Sequence, residues 1–331
     1  MSFIAPSRLG FGTAELGNLY REVSDAEARA TLEAAWSSGI RFFDTSPSYG
    51  AGLSELRLGA FLRSVPKDIP FTLATKVGRW LRLPGDVPVK SPFAAPLAFE
   101  PVFDYSYDGT MISFEQSAQR LGVTEVDVLF IHDLDRRNHG AGFESRYAEM
   151  LEGCLDALAE LKRAGNVKAI GVAVNEADTG TRMLKDGDFD CALLAGRYTL
   201  LEQSALADFL PTAPRREVDV CVGGVFNSGI LASGARAGAV YNYTAADADV
   251  LDRVAQPEAV CRSHGVPIAA AAMQFVAAHP AVQAVLIGSS RPSRLAENAH
   301  AMSVSLPMPL WTELRMKGLI DAAAPAPDRP G

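Results

Sequence analysis

The chain has 331 residues, 48% of them hydrophobic and 21% charged, with a formal net charge of −8 and a pI near 5.2. That is ample apolar material for a large buried core. The acidic balance speaks against nucleic acid or an anionic membrane as partner and leaves small molecules and anionic cofactors open.

No apolar stretch of about 18 residues occurs, and the start MSFIAPSRLG lacks a basic segment followed by an apolar core, so a cytoplasmic protein is expected. Cys154, Cys191, Cys221 and Cys261 are widely spaced inside apolar runs and read as buried reduced thiols. His132, His139, His264, His279 and His300 are scattered without ligand spacing, so no metal site is expected.

Along the chain, short apolar strands alternate with capped helices. Strands are expected at 7–13, 40–45, 71–77, 126–132, 167–174, 189–196, 218–225 and 281–288. Most are apolar without alternation, as parallel strands buried on both faces are. Ser24 with Glu27, and Ser113 with Gln116, have the spacing of capping boxes, and Gly39, Gly165 and Gly265 sit where helices end. Residues 149–164 carry helical periodicity. No linker divides the chain, so the reading is a single (β/α)8 TIM barrel over residues 1–321 and a Pro-rich tail, 322–331, expected to be disordered.

The segment between the third strand and a helix beginning near Ser113 is too long for an ordinary βα loop. It holds Trp80, Phe93, Phe99, Phe103, Tyr105 and Tyr107, which suggests a lid spanning 79–112 over the barrel mouth.

Four side chains stand at or just past predicted strand ends: Asp44 and Tyr49 in RFFDTSPSYG, Lys76 in FTLATKVG and His132 in VDVLFIHD. Taken singly, Asp44 reads equally as a turn former, Tyr49 as a loop aromatic and His132 as a structural histidine. Strand C-termini of such barrels converge on one site, which brings the four together. A phenol with a pKa of about 10 is a poor acid or base at neutral pH. A neighbouring ammonium favours its phenolate, a carboxylate holds that ammonium charged, and an imidazole can bond the reacting oxygen. Such a set moves protons to or from a carbonyl or alcohol oxygen.

GFGTAELG, FDTSPSYGAGLSELRLG (43–59), ATKVG (74–78), IHD (131–133) and GSSRPSRLAEN (288–298) together resemble the aldo-keto reductase superfamily over nearly the whole chain. The resemblance implies Tyr49 as general acid/base, Lys76 and Asp44 as its tuning pair and His132 as the residue orienting the substrate oxygen. Hydride would pass between substrate carbon and C4 of a nicotinamide.

It also implies that Gly288, Ser289, Ser290 and Arg291, followed by Arg294, Glu297 and Asn298, hold the adenosine end of NAD or NADP. A helix N-terminus beside arginines suits an anion. Many NADPH-dependent members carry a basic residue where this chain has Gly288, so NAD is narrowly preferred. GGVFNSGIL (223–231) resembles the pyrophosphate-covering segment and implicates Phe226, Asn227 and Ser228. Gly223 and Ala195 replace the usual stacking aromatic and amide-binding Gln, and Asn175 matches the usual amide-binding Asn with a one-residue offset.

VFDYSYDGTMISFEQSAQRLG, HDLDRR, LLAGRYTLLEQSAL and GGVFNSGILASG narrow the resemblance to a branch acting on aldoses such as L-fucose, L-galactose or D-arabinose, or on pyridoxal. This implies oxidation of a cyclic hemiacetal at C1 to a lactone, with pyridoxal 4-dehydrogenase chemistry as the alternative. Trp80, Asp133, Arg197, Asn242 and Tyr243 are candidate substrate-pocket residues. An NADPH-dependent aldehyde or ketone reductase is the nearest competing reading. A Schiff-base lyase using Lys76 and a non-catalytic nucleotide-binding barrel stand further off.

Overall fold

The computed structural model describes residues 7–85, 91–242 and 244–327. Eight parallel strands close into a barrel: β1 (Leu9–Gly12), β2 (Phe42–Asp44), β3 (Thr72–Val77), β4 (Val126–His132), β5 (Val167–Val174), β6 (Cys191–Ala195), β7 (Asp219–Gly223) and β8 (Val282–Gly288). Each follows its predecessor around the ring, and β8 returns to pair with β1 at Leu9↔Val285. All eight fall within the segments expected from the sequence.

Strand alternation decides what fills the barrel and what crowns it. Phe42, Ala74, Val128, Phe130, Ala169, Ala173, Cys191, Leu193, Cys221, Ala284 and Leu286 form one buried cluster, separate from the larger core of strands and helices. Two residues further along the same strand faces come Asp44, Lys76, His132, Asn175, Ala195, Gly223 and Gly288. The crown is therefore lopsided. β2 to β4 deliver three ionisable groups, while β6 to β8 deliver an alanine and two glycines. A Cβ built on Gly223 would meet only Leu193, at 3.9 Å, so that half of the mouth has room.

The helix Asp25–Ser37 begins with the expected capping box, Ser24 and Glu27 bonding each other's backbone amides. Ser113 is a correction: it caps nothing. It lies buried inside a helix spanning Tyr107–Leu121 that is capped by Ser106, and its hydroxyl donates to the Arg79 carbonyl. The region expected to be a lid contains an antiparallel hairpin, Arg79–Arg82 with Glu100–Phe103, in register Trp80↔Val102. The helix read at 149–164 is composite, Phe143–Glu149 and Leu155–Arg163 joined through a π turn at Met150–Cys154. Ala324 and Ala326, within the stretch expected to be disordered, are buried, and Arg315 donates to the Ala324 carbonyl. Among the described residues no helix is long and apolar enough to cross a membrane.

Candidate active site

Asp44 ends β2 and Lys76 lies near the end of β3, both buried. Lys76 Nζ donates to both Asp44 carboxylate oxygens, at 2.8 and 2.7 Å, and to the Thr45 carbonyl at 2.7 Å. Burial pushes the Asp44 carboxyl above its usual range, against the opposing pull of Lys76. The ammonium stands 4.9 Å from the centroid of the Tyr49 ring.

Tyr49 is set by backbone contact. A Cβ on Gly17 would fall 2.5 Å from the Tyr49 carbonyl carbon, and Gly50, at φ +64°, turns the chain there. The conspicuous SE pair of the 43–59 motif is scaffolding. Ser54 bonds Thr13 and Thr45, while buried Glu55 accepts from Thr75 and Arg120, both at 2.6 Å. No described residue hydrogen-bonds the Tyr49 hydroxyl. Burial raises its pKa well above the ordinary phenol value, with Asp44, Asp133 and Glu15 adding and Arg79 opposing. Tyr49 in this arrangement is a neutral phenol, with burial and three carboxylates acting in the direction opposite to the one expected of Lys76.

The His132 ring meets Tyr49 edge-on, with centroids 5.9 Å apart. Its Nδ1 is 3.1 Å from the Ser46 hydroxyl, and its Nε2 is 3.5 Å from Asp133. The nearby carboxylate favours the proton on Nε2, with Ser46 donating to Nδ1. Burial lowers the imidazole to about 3, so it is neutral. Tyr105, wholly buried, donates to the His132 carbonyl at 2.9 Å.

Tyr49, Lys76, His132, Asp133 and Asn175 share one cavity of about 550 Å³. Arg79, which the sequence did not single out, lines it as well and pairs with Asp133 at 2.9 Å. Asp133 is pulled low, to about 2, because His132 and Arg79 outweigh its burial. Asn175 donates to Asp133 at 2.8 Å. Phe93, Phe99 and Phe103 from the inserted segment form the apolar wall.

Three expected pocket residues, Trp80, Arg197 and Asn242, do not line this cavity. Strand alternation turns Trp80 away from the cavity, and its indole donates to Asp104. Arg197 is spent on the Asn175 carbonyl at 2.8 Å and on Asn242. Tyr243 lies outside the described residues.

On the open half of the crown, the residues present fit a nucleotide. Asn227 is buried with its amide oxygen unbonded while its nitrogen donates to the Gly196 carbonyl. Ser228, at φ +61°, bonds the Tyr20 hydroxyl, and Phe226 is buried beneath. The helix Pro292–Ser303 starts just after Gly288, with Ser289 accepting from the Arg291 amide and Arg21 reaching Ser290. Asn298 lies within that helix. Arg294 is paired on the surface with Glu297. The Glu15 carboxyl occupies the space a side chain at Gly288 would need, and burial raises it to about 7. Among the described residues no cluster of three or more His, Cys, Asp or Glu could hold a metal ion.

A closed parallel barrel with a phenol, an ammonium, a carboxylate and an imidazole at its mouth defines a proton-handling site beside room for a dinucleotide. The sequence matches the aldo/keto reductase family over residues 8–317, and the chain belongs to this family of NAD(P)(H)-using oxidoreductases. It is 43% identical to a pyridoxal 4-dehydrogenase of Microbacterium luteolum, over 94% of each chain. A D-threo-aldose 1-dehydrogenase of Pseudomonas is 39% identical over 96% of this chain and 95% of its own. An L-galactose dehydrogenase of Arabidopsis thaliana is 29% identical over 90% and 84%. A glycerol dehydrogenase structure from Gluconobacter oxydans, 20% identical, superposes with a TM-score of 0.71 over 98% of this chain and 94% of that one, and shares the fold.

Proposed function

We propose that the protein oxidises a cyclic hemiacetal at its hydroxyl-bearing carbon to a lactone, with NAD+ as the preferred acceptor. The observation that carries this reading is the convergence of Tyr49, Lys76 and His132 on one cavity, with Asp44 paired to Lys76 behind its wall.

Tyr49, ionised by release of its phenol proton to solvent before the step, takes the hydroxyl proton of the hemiacetal as phenolate, and His132 Nε2 orients the same oxygen. Lys76, fixed by Asp44 and Thr45, stabilises negative charge on the phenol through its ring face. A bound oxidised nicotinamide would supply the hydride acceptor and a positive charge that favours the phenolate. Asn175, Phe226, Asn227, Ser228, Ser289, Ser290, Arg291, Arg294 and Asn298 would hold the dinucleotide. Glu297 is engaged with Arg294 and would contact it only if that pair opens. The Glu15 carboxyl at Gly288 supports the NAD+ preference, because a carboxylate there repels a phosphate and accepts from a ribose hydroxyl.

Aldoses such as L-fucose, L-galactose and D-arabinose are one source of the hemiacetal. Pyridoxal, whose internal hemiacetal permits the same chemistry, is the other. The wall of Phe93, Phe99 and Phe103 and the 43% identity to a pyridoxal 4-dehydrogenase favour it. The test is reduction of NAD+ and NADP+ with each of these substrates. Turnover with an aldose or with pyridoxal names the source. Consumption of NADPH by simple aldehydes, with none of these substrates oxidised, would make the protein a reductase instead.

A further inference from the structure

A half-buried ion pair on the cavity wall, Arg79 with Asp133, has no part in this proton transfer. Asp133 follows His132 at the end of β4 and adopts φ +51°, a conformation costly for a residue with a side chain. Its amide still donates to the Ala173 carbonyl, so the strand ladder holds it there. The effect of this turn is to swing the carboxylate beside the imidazole, 3.5 Å from Nε2.

Arg79 approaches from the hairpin, its guanidinium 4.1 Å from the centroid of the Phe103 ring. Its side chain is 11% exposed and that of Asp133 18%. The guanidinium spends one N–H on Asp133, and no other described residue accepts from it. A guanidinium carries five N–H donors and a carboxylate about four acceptor directions, so both groups keep unused capacity where they line the cavity. A charged pair that needed only each other would not require a strained backbone or a place on the cavity wall.

We propose that Arg79 and Asp133 read a hydroxyl next to the reacting centre, the carboxylate accepting from it and the guanidinium donating to it. The inference rests on the hemiacetal reading and assigns the substrate class within it. Preferred substrates carry a free hydroxyl flanking the carbon that is oxidised, either on the neighbouring carbon of an aldose ring or on the aromatic ring of a pyridoxal-like hemiacetal. With the reacting oxygen held by His132 Nε2, the flanking oxygen falls to the groups beside that nitrogen. Arg79 and Asp133 are then specificity residues, while Tyr49 and His132 act on the reacting oxygen.

The experiment compares L-fucose with 2-deoxy-L-fucose and pyridoxal with 3-deoxypyridoxal in wild type, Asp133→Asn and Arg79→Lys. NADH binding, followed by fluorescence, checks that the variants are folded. Wild type should favour the hydroxylated member of the pair it uses by at least about 10²-fold in kcat/KM, since a missing hydroxyl leaves buried polar groups unpaired. Each variant should lose about 10- to 100-fold on that member, chiefly through KM, as for a charged hydrogen bond. Its deoxy partner should change less than about threefold, and which pair responds names the source of the hydroxyl. Equal losses on both members would show that the pair only supports His132 and would overturn this inference alone. No turnover of any of the four by wild type would overturn the hemiacetal reading and this inference with it.

Discussion

Lys76 Nζ is held by both carboxylate oxygens of Asp44, at 2.8 and 2.7 Å, and by the Thr45 carbonyl, which uses all three of its donors. It therefore has no hydrogen bond left for Tyr49 and acts on that ring through its field. The same arrangement argues against a Schiff-base role, which requires a neutral and accessible amine.

Lys76→Met should leave the Asp44 charge buried without a partner and cost about 3–5 kcal/mol in urea unfolding. Asp44→Asn combined with Lys76→Met should recover part of that loss. Strict additivity of the two single losses would show that the pair is not coupled.

Tyr49→Phe should lower kcat at least about 10²-fold while leaving the dissociation constant of NADH unchanged. Retention of full turnover would move the acid/base role to another residue.

The eight strands were legible because each is an apolar run bounded by turn residues, and the Tyr, Lys, His and Asp motifs were legible because they sit at those strand ends. Arg79 was not, because nothing in GRWLRLPG marks it as paired with Asp133 across the mouth. Its hairpin partner Phe103 lies far along the chain, and four-residue strands carry too little periodicity to read. Ser113 misled because S-x-x-Q occurs inside a helix as readily as before one, and the true cap, Ser106, lacks an acidic residue three positions on. Trp80 was expected among the pocket residues. Register, which sequence does not reveal, sends it to the other face.

Glu15 gives a pH signature. Burial raises its folded pKa to about 7 from 4.5, so between those values the folded state binds more protons than the unfolded one. Its contribution to stability therefore falls as pH rises from about 4.5 to about 7. Glu15→Gln should raise the melting temperature relative to wild type at pH 8 and not at pH 4. Calorimetry should also show NADP+ binding improving relative to NAD+ in this variant. An unchanged cofactor ratio would remove Glu15 as the basis of the NAD+ preference.

Gly17→Ala should cost about 1–3 kcal/mol and reduce kcat without touching substrate, because the added methyl must displace the Tyr49 backbone. A fully active and stable variant would show that the Tyr49 turn yields freely.

Asp44 pairs in register with Ala74, and Lys76 with Phe130, two residues higher on β3, while His132 stands two higher again on β4. The three groups climb the barrel like teeth on a comb. Their spacing comes from the strand separation of about 4.8 Å and the shear of the sheet, quantities that no loop mutation can retune. Diversification has to happen elsewhere, in the inserted hairpin and in the single residue after each strand. A lineage of such proteins can exchange one substrate for another while its proton chemistry stays fixed by the closure of the barrel.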